Sequence, residues 1–304
     1  MHAPDEGTTG SGPARMPEAE LAIDGSFVRD LLERQLPQYA SRRVEFVANG
    51  WDNCVYRLGE DLAVRLPRRA AAVPLVDSET RWLPSLATVL PLEVPYPVHR
   101  GEPDGRMPWA WSVVRWVSGA PADHGTAPSA AEARSFAGFL GALGTPAPHD
   151  APVNPFRGVP LAARDAGVRR ALRRVDHPGA ERCLAIWEES LGLPEYRGPA
   201  VWVHGDLHPA NLIRRHGRLV GVVDWGDLTA GDPACDLQVA WTWCDGPGRA
   251  GLLEAAGSDG LTVARARANA LAHGLACLAG SADNPRMAAI GAATVREVLA
   301  DHAG

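Results

Sequence analysis

The chain has 304 residues, a formal net charge of −6 and 22% charged residues, enough length for one large domain or two lobes with a buried core and far beyond a small stapled scaffold. No run of about 18 apolar residues offers a membrane span, and the acidic balance disfavours a nucleic-acid surface, which needs clustered basic residues. The five cysteines are an odd number without paired short spacing, so neither a disulfide framework nor a zinc ribbon is indicated.

The opening MHAPDEGTTGSGPARMPEAE has neither a basic start nor an apolar stretch. It is expected to be a disordered tail over residues 1–20 and not a signal peptide, which makes the cytoplasm the default location. DGSFVRDLLERQL then sets Phe27, Val28, Leu31, Leu32 and Leu36 on one helical stripe, behind a cap at Asp24 or Ser26. The period changes in RVEFVA, CVYRL and LAVRL, three short runs separated by NGWD and GED, which predict antiparallel strands joined by tight turns. PLVDSETRWLPSLATVL returns to helical spacing, with Pro84 expected to kink or interrupt it. The aromatic and β-branched MPWAWSVVRWVSG reads as a further strand ending at Gly119. Beyond it the text is alanine-rich and helical. The expectation is an α+β molecule with a sheet-rich lobe over 21–118 and a mainly helical lobe over 119–304.

VWVHGDLHPANLI, residues 201–213, gathers His204, Asp206, His208 and Asn211. His204 and His208 are four apart, as in a zinc-binding helix, but Gly205 and Pro209 break such a helix and no glutamate base accompanies them. Next, NLIRRHGRLVGVVDWGD places two apolar arms around HGRL, which predicts a hairpin with Gly217 and Arg218 in its turn. On that register Asn211 stands opposite Asp224. An amide oxygen and a carboxylate side by side suit magnesium, which keeps waters and substrate phosphates in its remaining positions. Farther on, AGDPACDLQVAWTWC has Asp232 as an N-cap and Pro233 at the first helical position. His208 is expected to face solvent, and Trp241 and Trp243 to lie in the core.

HGDLHPAN followed by DWGD resembles the catalytic loop and metal-binding motif of kinases, most closely the aminoglycoside phosphotransferase family and related small-molecule kinases, over a stretch from about residue 21 to near the C-terminus. The resemblance implies a two-lobed protein-kinase-like fold with an N-terminal nucleotide-binding lobe and a C-terminal catalytic and acceptor-binding lobe. It implies that Asp206 is the catalytic residue that orients the acceptor hydroxyl, that Asn211 and Asp224 hold Mg2+, that His204 braces the loop, and that Asp236 supports it from behind. ATP is the implied phosphate donor, with GTP not excluded.

Kinase-like folds usually place a phosphate-binding lysine on the third strand, paired with a helix glutamate. This chain contains no lysine; all 30 of its Lys and Arg positions are arginines. Arg65 in LAVRLPRR stands where the lysine would stand, with Glu79 as its expected partner. Arginine keeps the charge but is longer and planar. The substitution therefore leaves two readings, an active kinase or a pseudokinase-type binding protein. The phosphate-covering turn would run around Gly50 to Asn53, and backbone groups at Arg115, Trp116 and Val117 would meet the adenine edge, again as the resemblance implies.

Too few residues separate DWG from the helix start near Asp232 for a long phosphorylatable segment, so a small molecule with a hydroxyl is the expected acceptor. An aminoglycoside-type antibiotic would want acidic groups, and Asp227 is the leading candidate to meet it. A macrolide or a small metabolic amino alcohol stays as an alternative. No nucleic-acid or membrane partner is expected, and the oligomeric state is not legible.

Overall fold

The computed structural model describes residues 13–124 and 127–302, and its contacts divide it into two units. Of the described residues, the first comprises Pro17–Gly119 together with the return segment Gly221–Gly226; the second comprises residues 13–16, those of 120–220 and residues 227–302.

In the first unit α1 (Gly25–Gln35) begins where the Asp24 carboxylate accepts the backbone N–H groups of Ser26 and Phe27, at 2.9 and 2.8 Å, donors that the helix itself leaves unpaired. Strands β1 (Val44–Asn49), β2 (Asn53–Leu58) and β3 (Leu62–Pro67) follow as two hairpins, then α2 (Val73–Leu86), β4 (Pro97–Gly101) and β5 (Trp111–Arg115). They form an antiparallel sheet in the order β1-β2-β3-β5-β4. Strand alternation sorts the side chains: Cys54, Tyr56, Leu58, Leu62, Val64 and Leu66 join Val28, Leu31 and Leu32 of α1 in one apolar core. The other face of β3 is buried too, and it carries Arg65, in register between Val55 of β2 and Ser112 of β5. Helix α2 runs through Pro84 to Leu86, so the proline does not interrupt it; the N–H that it lacks falls in the last turn, where the loss is one hydrogen bond.

The second unit contains β6 (Ala120–Pro121), α3 (Ala130–Leu143), α4 (Leu161–Arg174), α5 (Ala180–Leu191), β7 (Val201–Val203), β8 (Leu212–Arg215), β9 (Arg218–Val222) and β10 (Thr229–Gly231). Five helices complete it: α6 (Ala234–Leu237), α7 (Val239–Thr242), α8 (Gly246–Ala256), α9 (Gly260–Ala279) and α10 (Pro285–Asp301). Two small sheets, β10-β7 and β6-β8-β9, frame the loops that matter chemically. Asp232 accepts the N–H of Ala234 at 3.0 Å, but the expected single helix behind it divides at Gln238 into α6 and α7. Trp241 and Trp243 are buried.

Two expectations need correction. Residues 13–20 are tied down, not a free tail. Ala14 exchanges backbone hydrogen bonds with Ala279 and Ala282 at 2.6 and 3.0 Å, and Glu20 donates to the Arg68 carbonyl at 2.9 Å; residues 1–12 lie outside the described residues. The β8–β9 turn is made by His216 and Gly217, both at positive φ (51° and 74°), as a type I′ turn requires. That turn puts Arg215 opposite Arg218, so the count that set Asn211 opposite Asp224 does not hold. Among the described residues no helix is long and apolar enough to cross a membrane.

Candidate active site

In the first unit β3 and α2 bring a cation and two acids together. Arg65 Nη1 donates to Glu79 Oε2 at 2.5 Å, and Nη2 reaches Asp224 Oδ1 at 3.4 Å. Arg65 and Glu79 are both buried, whereas the Asp224 side chain is 61% exposed. Burial works against the Arg65 charge, but Glu79 and Asp224 outweigh it and hold the guanidinium above its ordinary value. Burial pushes Glu79 up to about 7, against the pull of Arg65. Asp224 sits in the left-handed region at φ 63°, a conformation that is sparsely populated outside glycine. The chain reaches it from Gly221, where a Cβ would lie 2.4 Å from Val117 Cγ1 and 2.9 Å from the Glu93 carbonyl oxygen.

In the second unit the loop after β7 is held from below by one carboxylate. Asp236 Oδ2 and Oδ1 accept the backbone N–H groups of His204 and Gly205 at 2.6 and 2.8 Å. Burial raises Asp236 to about 7 despite these two donors. Gly205 turns the chain at φ 88°, and a side chain there would meet the Asp227 carbonyl oxygen at 2.7 Å. His204 is fully buried and its Nδ1 accepts the Asp206 N–H at 3.2 Å, which places its proton on Nε2. Asn211 Nδ2 donates to the Asp206 carbonyl oxygen at 3.0 Å. The loop is therefore tied at both ends of the Asp206 backbone.

The Asp206 carboxylate is surrounded by bases. Arg157 Nη2 donates to Oδ1 at 2.8 Å, His208 Nε2 lies 3.3 Å from Oδ2, and His273 Nδ1 lies 3.6 Å from Oδ1. Burial opposes its ionisation, but Arg157 and His208 more than reverse that and keep the carboxyl well below its usual range. Burial drives His273 down to about 3, so its imidazole is neutral near pH 7. The same Arg157 donates through Nε to Asp227 Oδ2 at 2.9 Å, and Asn154 Nδ2 donates to Asp227 Oδ1 at 2.8 Å. His208, expected at the surface, is buried against His273 with ring centroids 5.5 Å apart. Arg157 and His273 were not legible as neighbours of Asp206, since they stand 49 and 67 positions away; only the Pro/Gly-flanked NPFRG hinted at a functional arginine.

The remaining expected residues fall as follows. Gly50 closes the β1–β2 turn, its N–H donating to the Asn53 carbonyl at 2.8 Å, while Asn53 itself is buried. The N–H groups of Arg115 and Trp116 are committed to the carbonyls of Tyr96 and Asp61 at 3.1 and 2.9 Å. They are therefore not donors for an adenine edge, because the sheet ladder continues through them. Val117 is buried and its N–H has no backbone partner among the described residues.

For a divalent cation, no group of three or more His, Cys, Asp or Glu side chains is clustered suitably among the described residues. Asn211 and Asp224, the ligands that the resemblance implies, each present an oxygen. The donation from Asn211 Nδ2 to the Asp206 carbonyl fixes which end of its amide is committed and leaves Oδ1 as its acceptor atom. Asp224 offers an exposed carboxylate. Both are the hard oxygen type that magnesium takes.

Several solved structures share this architecture. The chain is 19% identical, with a TM-score of 0.71, to the GDP complex of wild-type aminoglycoside 2'-phosphotransferase-IIIa, over 92% of this chain and 100% of that one. The GDP and kanamycin complex of APH(2")-IIia matches at 18% identity and a TM-score of 0.70, over 90% and 98% of the two chains. The apoenzyme of macrolide 2'-phosphotransferase MphH from Brachybacterium faecium matches at 23% and 0.59, over 88% and 97%. These likenesses establish the kinase-like phosphotransferase fold, an antiparallel-sheet lobe followed by a helical lobe. No curated protein matches the sequence. The model of the APH phosphotransferase enzyme family, however, matches residues 43–271, a span that contains both the Arg65–Glu79 pair and the HGDLHPAN and DWGD motifs, and on that match the chain belongs to the phosphotransferase enzyme family.

Proposed function

We propose that the protein transfers the terminal phosphoryl group of a nucleoside triphosphate to a hydroxyl of a small molecule. The observation that carries this reading is the state of Asp206. Its carboxylate is kept ionised by Arg157 and His208, on a loop pinned through the backbone by Asp236, His204 and Asn211. An ionised carboxylate on a rigid loop is suited to accept a hydrogen bond from an alcohol and aim its oxygen at phosphorus. Phosphoryl transfer asks mainly for such positioning and for charge neutralisation.

Arg65, held charged by Glu79 and Asp224, supplies a planar fork for phosphate oxygens in place of lysine. Asn211 Oδ1 and Asp224 are the residues that would hold magnesium. When bound, the ion offsets the negative charge of the nucleotide phosphates. The nucleotide is ATP or GTP, in keeping with the GDP and ADP complexes of the structural relatives.

The pseudokinase alternative makes a different prediction about one residue. Asp206→Ala is expected to lower phosphate transfer, followed as nucleotide turnover with magnesium, by about 10²–10⁴ while leaving nucleotide affinity within a few-fold. Equal turnover in the wild type and the variant would end the kinase reading.

A further inference from the structure

Resting on the phosphotransferase reading, we propose that the acceptor is an uncharged, oxygen-rich hydroxyl compound with no ammonium group beside the reacting hydroxyl, and that Arg157 determines this preference. The argument is one of charge already matched within the chain. A polycationic acceptor is recognised by carboxylates that stay negative and unpaired until it arrives. Here a single guanidinium joins the two that count, Asp206 Oδ1 at 2.8 Å and Asp227 Oδ2 at 2.9 Å. Asn154 takes the other oxygen of Asp227 at 2.8 Å, and His208 faces the other oxygen of Asp206 at 3.3 Å.

Three further acids of the helical unit are matched in the same way. Asp232 is bound by Arg265 at 2.7 Å, Glu188 by Arg169 at 3.1 Å, and Asp123 by Arg286 at 2.7 Å. A second half-buried cation, Arg164, acts in the same field, pushed down to about 10 by desolvation and by the charge of Arg157. An ammonium group brought to Asp206 would meet a fixed guanidinium and would have to break its two ion pairs. An alcohol or ether oxygen meets a donor instead. Arg157 Nη1 makes no hydrogen bond among the described residues, and the side chain keeps 19% exposure, so an N–H pair is available to an acceptor oxygen while the other two nitrogens hold Asp206 and Asp227.

The test uses a matched pair, kanamycin and its per-N-acetylated form, which present the same hydroxyls with and without ammonium charge. Transfer rates with magnesium and nucleotide, and binding by calorimetry, are measured on the full chain for the wild type, Arg157→Gln and Asp227→Asn at low and high salt. The wild type is expected to prefer the uncharged compound at least tenfold and to bind kanamycin no better when Asp227 is intact than when it is Asn. Arg157→Gln is expected to gain kanamycin affinity at least tenfold, in a salt-sensitive manner.

Tight, salt-sensitive kanamycin binding by the wild type that weakens in Asp227→Asn overturns the proposal, as does a folded Arg157→Gln that gains none. Should Arg157→Gln fail to fold, the comparison of wild type with Asp227→Asn decides. Because the binding arm needs no turnover, its failure is separable from failure of the phosphotransferase reading, which Asp206→Ala tests.

Discussion

At the scale of single residues, the molecule places ionisable groups where burial and partners oppose each other. Glu79 is the clearest case. It is buried with Arg65, which also reaches Asp224 at 3.4 Å. Glu79→Ala would leave a buried guanidinium largely uncompensated, and breaking such a pair costs about 3–5 kcal/mol. Urea denaturation should register that loss; a variant as stable as the wild type would show that the pair is solvated. Asp236 is the second case, because its two oxygens accept the backbone N–H groups of His204 and Gly205. In Asp236→Asn one of those oxygens becomes an NH2 facing an N–H. The expected loss is about 1–3 kcal/mol with a fall in turnover as the loop loosens, and circular dichroism melts run beside activity assays would separate the two effects.

The residue scale also separates what is local from what is not. Asp236, 30 positions beyond Asp206, is placed behind the loop by the resemblance alone; its oxygens accept the His204 and Gly205 N–H groups. His208 was misjudged because a polar residue in a Pro-containing loop usually faces water; here His273 of α9 packs over it. Nothing in the local text around either histidine announces that meeting.

At the scale of elements, the strands and caps follow local rules and the turn did not. The alternation in β2 and β3 and the Asp24 cap were visible as period and capping chemistry, which act within a few residues. The β8–β9 turn shifted by one residue because His216 adopts positive φ beside Gly217, and histidine is one of the few non-glycine types that tolerates it. A one-place shift in a hairpin changes every facing pair, so the predicted pairing of Asn211 with Asp224 does not form. The return segment supplies an element-scale prediction. In Gly221→Ala the new methyl would collide with Val117 and the Glu93 carbonyl. A cost of about 1–3 kcal/mol is expected from overpacking, read as a lowered Tm, and an unchanged Tm would mean that β9 can shift.

At the scale of the whole molecule, acid stability reports on the buried cluster. An unfolded chain protonates His273 near its ordinary 6.5, while the folded chain resists until about 3. Between those values the unfolded state binds the extra proton, so this group contributes stability that is present above about 6.5 and is lost as the pH falls towards 3. Glu79 and Asp236, both raised to about 7, act in the opposite sense, since their contribution is present below their unfolded values and is lost as the pH rises through 7. The comparison with His273→Gln isolates the histidine: its stability should fall less steeply than the wild type between pH 6.5 and 4. Parallel curves would show that His273 titrates normally.

The sequence by itself determined the strand and helix periods, the positions of the two motifs and the absence of lysine, because each is written in neighbouring residues or in composition. With the motif resemblance it also determined the family and the fold. Tertiary structure alone decided which charges are matched: that Arg157 joins Asp206 to Asp227, that His208 and His273 are buried together, and that Arg65 is fixed by Glu79 and Asp224. Those partners come from distant segments, and burial, which sets what an ion pair is worth, is a property of the packed chain and not of any stretch of it.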